Sequence, residues 1–168
     1  MPEIPVIATD QFKALMASFA AGVTVVTTVD ESGQLWGLTA TAFSSVSLDP
    51  PLCLVCIDRR TASHDPILGA TRFAVSILTD QQQDLSNRFA SRVPDRFAGV
   101  AWTAGPATGS PILTDALAWM DCSVEHAHAG GDHTIVVGRI HHAGIGEGKP
   151  LVYWRGAYGD VSSRPKAW

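Results

Sequence analysis

The feature that most constrains the fold is a series of short β-branched runs, each ended by a turn sequence. Residues 23–29 are β-branched almost throughout and stop at Asp-Glu-Ser-Gly, so we expect a hairpin with a strand that starts at Leu35. Further strands are predicted at residues 52–57, 73–78, 118–126, 133–143 and 151–154. This hairpin-like spacing favours an antiparallel barrel over alternating βαβ units.

Three helices are predicted to flank the strands. Asp10 is a favoured N-cap for the first, whose apolar residues 12, 15, 16 and 19 form one stripe before Gly22. The second starts at Ser63 and ends near Ala70, and Thr79 caps the third. The Pro, Gly and aromatic content of residues 93–111 predicts an extended connecting loop. We therefore expect one mainly β domain over residues 1–168, a β-barrel with flanking helices.

Residues 37–51 carry small and hydroxyl side chains along what reads as one strand ending at Asp49. Because successive side chains alternate between faces, residues 39, 41, 43 and 45 share one face and neither face is simply apolar. Pro50 and Pro51 cannot donate to a sheet ladder, so the strand must stop there. The segment alone fits an ordinary edge strand as well as a strand that offers hydrogen bonds to a small polar ligand.

Charge and hydropathy exclude several classes of protein. The net charge of -4 provides no basic stripe for nucleic acid, although small groups of arginines remain suitable for one phosphate. No apolar run approaches the roughly 18 residues of a membrane span, and the N-terminus lacks the basic start of a secretory signal. Three cysteines fit a reducing compartment, so a cytoplasmic location is expected. A charged fraction of only 17% favours oligomerisation.

Four segments carry residue types that are common in metal, phosphate or nucleotide sites. Cys53 and Cys56 have the spacing of a metal or redox pair, but on a strand they point to opposite faces, so no metal site is expected. Residues 144–149 lack the pattern of a phosphate loop. His133 follows a Gly-Gly-Asp turn that can aim its ring into a cleft. Residues 153–156, Tyr-Trp-Arg-Gly, either stack a planar ring and pair an anion or anchor the last strand.

Together these segments resemble the flavin reductase family of two-component monooxygenase systems, whose fold is the FMN-binding split barrel. The resemblance rests on residues 19–28, 37–51, 88–89, 130–133 and 153–156. It implies a flavin site made by Leu35, Trp36, Gly37, Leu38, Thr39, Thr41, Ala42, Cys56, Ile57, Asp58, Ala62, Ser63, Arg88 and Phe89. Arg88 is then a phosphate partner, and Ala62 and Ser63 meet the phosphate near a helix start. The NAD(P)H side is implied at His133, Tyr153, Trp154, Arg155 and Gly156.

The same resemblance implies a homodimer that transfers a hydride from NAD(P)H to FMN or FAD. Reduced flavin would then diffuse to a partner monooxygenase. His133 would position the nicotinamide. The family commonly has Asn or Gln followed by Ser where this chain has Thr41 and Ala42, which leaves the choice between FMN and FAD open. NADH or NADPH as donor, and flavin as cofactor or substrate, also stay open.

Two other functions share this fold. One is an electron carrier that holds FMN tightly and does not turn over nicotinamide. The other is a dimeric β-barrel module that has lost flavin. Gly-Asp-His133 and Tyr-Trp-Arg-Gly156 favour the reductase, since a pure carrier needs no nicotinamide site.

Overall fold

Strands dominate the computed structural model, which describes residues 4–162. Residues 1–3 and 163–168, which belong to the predicted domain, lie outside the described part. The helices are α1 (Thr9–Met16), α2 (His64–Ala70) and α3 (Gln83–Ala90), and a 3-10 turn (Asp80–Gln82) precedes α3. The strands are β1 (Ala21–Gly22), β2 (Thr24–Val29), β3 (Leu35–Ala40), β4 (Phe43–Ser47), β5 (Leu52–Asp58), β6 (Arg72–Ile77), β7 (Trp102–Ala104), β8 (Pro111–Leu113), β9 (Ala118–Gly130), β10 (His133–Ile145), β11 (Val152–Trp154) and β12 (Ala157–Gly159).

Seven strands form one antiparallel sheet in the order β3-β2-β6-β9-β10-β5-β4. The two edges, β3 and β4, follow each other in the chain. Leu38 of β3 and Val55 of β5 nevertheless belong to one buried cluster, together with Phe73 and Val136. The sheet therefore curls around this cluster and stays split between its two edges, which confirms the predicted mainly β, split-barrel-like fold.

The prediction of one continuous strand after Gly37 is wrong. The chain leaves the β2 ladder at Ala40, which pairs with Thr24, and joins the β5 ladder at Phe43, which pairs with Val55. Side-chain alternation reports which residues share a face, but it does not report which strand supplies the hydrogen bonds. Residues 41–42 therefore cross the split, while the predicted pairing of β2 with β3 is confirmed.

Three smaller expectations also differ from the structure. Helix α1 begins at Thr9 with Ala8 as its N-cap, so Asp10 lies in the first turn. The predicted loop at 93–111 contains β7, which pairs with β8; a strand of three residues is too short to show periodicity. Strand β9 extends to Gly130, beyond the predicted end. The predicted alternation in β5 is confirmed, since Cys53 is buried and Cys56 lies on the other face.

A second core cluster supports the side of the barrel on which β3 and α3 meet. It contains Val23, Val25, Leu78, Phe89, Leu113 and Leu151, with Phe97 and Tyr158 packed against it. The ring of Phe97 meets the ring of Phe89 edge to face, with centroids 5.0 Å apart. The segment after α3 is thereby fixed to the barrel. None of the helices within residues 4–162 has the length and hydropathy needed to span a membrane.

Candidate functional site

A cleft of about 860 Å³ opens between the start of β3, the end of β5, the turn before α2 and the segment after α3. Its volume lies within the range of about 300–1,000 Å³ usual for small-molecule sites. Six residues of the expected flavin site line it: Leu35, Trp36, Gly37, Asp58, Ala62 and Ser63. The other lining residues are Gln34, Arg60, Thr61, Ala90, Arg92, Val93, Pro94, Asp95, Arg96 and Phe97.

Gly37 forms the floor of the cleft because a ring lies directly beneath it. A Cβ atom at this position would stand 2.7 Å from Cε1 of Phe89. Phe89 is itself only 1% exposed, so it supports the cleft from below and does not line it. The Gly37 carbonyl accepts hydrogen bonds from Ser63 Oγ at 2.9 Å and Arg96 Nη1 at 2.6 Å. Strand β3, the start of α2 and the segment after α3 therefore meet at one peptide group.

Arg96 ties the segment after α3 to the floor. Besides Gly37, its guanidinium donates to the Ser91 carbonyl, at 3.0 Å from Nε and 2.6 Å from Nη2, and to Ser63 Oγ at 3.3 Å. Burial lowers the pKa of Arg96 from its ordinary value, yet an arginine remains cationic at neutral pH. From the sequence, Arg96 is expected only as one of a group of arginines suitable for a phosphate, because it lies in a predicted loop and makes contacts that no periodicity reveals.

Arg88, the expected phosphate partner, donates hydrogen bonds to the segment that follows α3. Its Nε donates to the Arg96 carbonyl at 2.7 Å and its Nη2 to the Asp95 carbonyl at 3.1 Å. It is absent from the residues that line the cleft. In this structure Arg88 therefore fixes the course of residues 91–97, and its contact with phosphate stays a prediction.

The indole of Trp36 has a fixed orientation at the cleft. Its Nε1 donates to Asp30 Oδ2 at 2.8 Å, while Oδ1 of Asp30 accepts from the backbone N–H groups of Ser32 and Gln34. Hydrogen bonds from the Ser32 side chain and then Trp36 lower the pKa of Asp30 to about 2. Asp30 therefore stays ionised at neutral pH and holds the ring. From the sequence, Asp30 is expected only as a turn residue.

Two pairs of charged or ionisable side chains, Arg60 with Asp58 and His133 with Asp132, lie at the edge of the cleft where β5 and β10 pair. Arg60 pairs with Asp58, with Nη2 to Oδ2 at 2.7 Å and Nε to Oδ1 at 3.1 Å, which holds the pKa of Asp58 well below its usual range. His133 lies opposite Asp58 in the β5–β10 register, and its Nδ1 is 2.7 Å from Asp132 Oδ1. Its side chain is 39% exposed. His133 thus adjoins the cleft through Asp58 without lining it.

The remaining expected flavin residues do not line the cleft. Leu38 and Ile57 are buried in the barrel core, and the Thr39 hydroxyl donates to the Ser86 carbonyl at 2.7 Å. Cys56 lies on the other face of β5, where burial raises its pKa. Thr41 and Ala42 are exposed beyond the end of β3. Core packing therefore removes Leu38 and Ile57 from the cleft, and the end of β3 leaves Thr41 and Ala42 beyond it.

Residues 153–156 come together with the N-terminal segment and not with the cleft. Tyr153 pairs with Ala21 across β11 and β1, and the Arg155 N–H donates to the Ala17 carbonyl at 3.0 Å. The Arg155 guanidinium carbon lies 4.9 Å from the centroid of the Trp154 ring. Tyr153 and Trp154 are 38% and 49% exposed. Within residues 4–162, no group of three or more His, Cys, Asp or Glu is placed to hold a metal ion.

Comparison with known proteins identifies the family. The model of the flavin reductase like domain matches residues 16–162. The chain belongs to this flavin reductase family. It is therefore an oxidoreductase, and the resemblance seen in the sequence is confirmed.

Individual relatives cover most of the chain. The reductase subunit HsaB of a flavin-dependent monooxygenase from Rhodococcus jostii is 42% identical over 149 residues, 88% of this chain and 75% of that protein. A flavin reductase (NADH) from Kitasatospora aureofaciens is 42% identical over 152 residues, 89% of this chain and 80% of that protein. The crystal structure of nitrilotriacetate monooxygenase component B from Mycobacterium thermoresistibile superimposes with a TM-score of 0.87 at 39% identity, covering 95% of this chain and 91% of that chain.

Proposed function

We propose that this protein is an NAD(P)H:flavin oxidoreductase that supplies reduced flavin to a separate monooxygenase. The observation that carries the proposal is the cleft at Trp36 and Gly37, which combines a fixed aromatic ring, a glycine floor without a side chain and three guanidinium groups in a flavin reductase chain. Two relatives support this proposal. One is named as the reductase subunit of a flavin-dependent monooxygenase, which supports a monooxygenase partner, and the other as a flavin reductase (NADH), which supports a nicotinamide hydride donor.

The lining residues fit a flavin. The flavin ring system, which is planar, would stack against the Trp36 indole and the flat backbone at Gly37. Arg60, whose side chain is 82% exposed, and Arg92 are available for the phosphate. Arg96 is less available, because its Nε and Nη2 already donate to the Ser91 carbonyl. Arg60 would shift from Asp58 toward the phosphate, and residues 91–97 would limit the access of water.

Bound flavin would accept a hydride at N5 from nicotinamide C4, so the protein needs to supply alignment more than acid–base chemistry. His133 would position the nicotinamide from the rim beside Asp58. The aromatic and cationic groups at 153–156 would serve the nucleotide of NAD(P)H. They lie apart from the cleft in one chain, so this role depends on how a second copy is arranged.

A homodimer is part of the proposal, and helix α1 supports it. None of its residues is buried, and Phe12, Leu15 and Met16 are all at least half exposed, as is Phe19 just beyond it. An apolar stripe of this kind is usually covered by another surface. A second copy is the simplest cover, and it would extend over the neighbouring residues 153–156. A cytoplasmic location, where NAD(P)H is available, completes the proposal.

The test follows the absorbance of NADH or NADPH in the presence of riboflavin, FMN or FAD. We expect flavin-dependent oxidation with at least one pair, and no oxidation without flavin. His133→Ala should raise the KM for the nicotinamide far more than the Kd for flavin. An inactive protein that retains a non-exchanging yellow flavin would favour an electron carrier, and inactivity with every pair would refute the reductase.

A further inference from the structure

The cleft continues into a second cavity, called the annex here. It has a volume of about 470 Å³ and is lined by Gly33, Gln34, Leu35, Pro94, Asp95, Phe97, Ala98 and Trp102. Five of these residues, Gln34, Leu35, Pro94, Asp95 and Phe97, also line the cleft. One elongated ligand can therefore occupy both cavities without leaving the surface between them.

The two cavities differ in charge. The cleft is lined by three arginines against the two carboxylates of Asp58 and Asp95, whereas Asp95, which both cavities share, is the one ionisable residue among the described residues that line the annex. Phosphate groups are attracted to guanidinium groups and repelled by a carboxylate. A dinucleotide spanning both cavities would therefore keep its phosphates in the cleft and place an uncharged group in the annex.

The annex offers an aromatic surface for that group. Trp102 in β7 is 38% exposed and contributes to the wall of the annex. Gly33, which also lines the annex, has a φ of 85°, and a Cβ atom placed on it would meet no atom within 4 Å. The annex is therefore open at this residue. A nucleobase can stack on an exposed indole because every base has a flat π face.

Asp95 supplies a hydrogen-bond acceptor at a fixed position. Its Oδ1 accepts from the N–H groups of Phe97 and Ala98 at 2.9 and 3.1 Å, and its carbonyl is held by Arg88. Oδ2 has no hydrogen-bond partner within residues 4–162. An amino group on a base, such as the 6-amino group of adenine, matches this free acceptor.

We propose that the annex binds the adenine ring of a dinucleotide whose phosphates lie in the cleft. The inference rests on the proposed function and deepens it, because it gives FAD an advantage over FMN. The adenine of NAD(P)H has the same chemistry, so the test has to separate the two sources.

The test compares wild type, Trp102→Ala and Trp102→Phe by equilibrium titration with FAD, FMN and NADH. Loss of stacking should weaken FAD binding about tenfold in Trp102→Ala and leave FMN binding within about twofold, with most of the FAD affinity restored in Trp102→Phe. If NADH weakens about tenfold while both flavins are unchanged, the annex binds the adenine of the nicotinamide nucleotide. Equal changes for all three ligands, or none, would overturn the proposal.

A second measurement uses the wild-type protein and needs no substitution. Adenosine, which carries no phosphate, should compete with FAD and leave FMN binding unchanged; competition with NADH alone again assigns the other source. Failure of adenosine to compete with either dinucleotide would overturn the proposal. Because these are binding measurements, an FAD preference without any turnover of NADH or NADPH would refute the reductase activity and keep the adenine site.

Discussion

The cleft and the aromatic segment 153–156 are built in opposite ways. At the cleft, Gly37 accepts two hydrogen bonds from distant parts of the chain, and Phe89 beneath it is buried. In the segment, Trp154 is 49% exposed and its Nε1 reaches only the Ser18 carbonyl, at 3.3 Å. The cleft is therefore formed within one chain, whereas residues 153–156 lie beside an exposed apolar helix. In the proposed function, flavin binding then depends on the fold of one chain, and the nucleotide contacts at 153–156 depend on a second copy.

Arg96→Ala should have the largest effect on the completed side. It removes the donors that connect Ser91, Ser63 and Gly37, so we expect the free energy of unfolding to fall by about 2 kcal/mol and the Kd for flavin to rise about tenfold. Denaturant unfolding and flavin titration measure the two quantities. Arg155→Ala in the exposed segment is the matched comparison and should change stability by less than about 0.5 kcal/mol. Equal effects of the two substitutions would remove the contrast between the regions.

Gly37→Ala tests whether the floor is as tight as the geometry indicates. The added methyl group meets the buried Phe89 ring at 2.7 and 2.9 Å, and overpacking of this kind costs about 1–3 kcal/mol. Gly69→Ala is the control, because its Cβ would meet nothing within 4 Å in the exposed part of α2, and alanine there should stabilise by up to about 1 kcal/mol. Thermal or denaturant unfolding compares them. A neutral Gly37→Ala would show that the ring is free to move away.

Substitutions in α1 should have the smallest effect on the folded chain and act on assembly. Phe12→Ser combined with Leu15→Ser alters side chains that are 52% and 63% exposed, so the stability of a single chain should change by less than about 1 kcal/mol. Analytical ultracentrifugation should show a wild-type dimer and a variant that dissociates. A wild type that is already monomeric, or a variant that stays dimeric with unchanged affinity, would refute the assignment of this helix to the interface.

The sequence predicts contacts between residues that are close in the chain much better than contacts between residues that are far apart in it. The β2–β3 hairpin, with Val29 opposite Leu35, follows from local alternation and turn residues. The split between β3 and β4 does not, because pairing partners far along the chain are invisible to alternation. The contacts of Arg96 could not be predicted for the same reason, because it contacts Gly37, a residue remote in sequence, from a segment that is predicted as a loop.

Some residues of the candidate site can likewise be predicted from the sequence, and others cannot. Trp36, Gly37 and Ser63 were expected at the flavin site from family motifs, and they do line the cleft. Motifs do not specify how a side chain is oriented: Arg88 donates to two loop carbonyls, which the sequence does not reveal, and its predicted contact with phosphate stays a prediction. Trp102 carried no motif at all, and only the three-dimensional structure shows its place in the annex.

Anaerobic rapid mixing measures the transfer of the hydride from NADH to the bound flavin itself. Protein saturated with FAD or FMN in its cleft is mixed with NADH, and the visible absorbance of oxidised flavin is followed together with the absorbance of NADH. The account predicts that both decrease together, one NADH for each flavin, and that His133→Ala slows this step while retaining flavin. Flavin that binds at the cleft but keeps its absorbance with NADH and with NADPH would contradict the account.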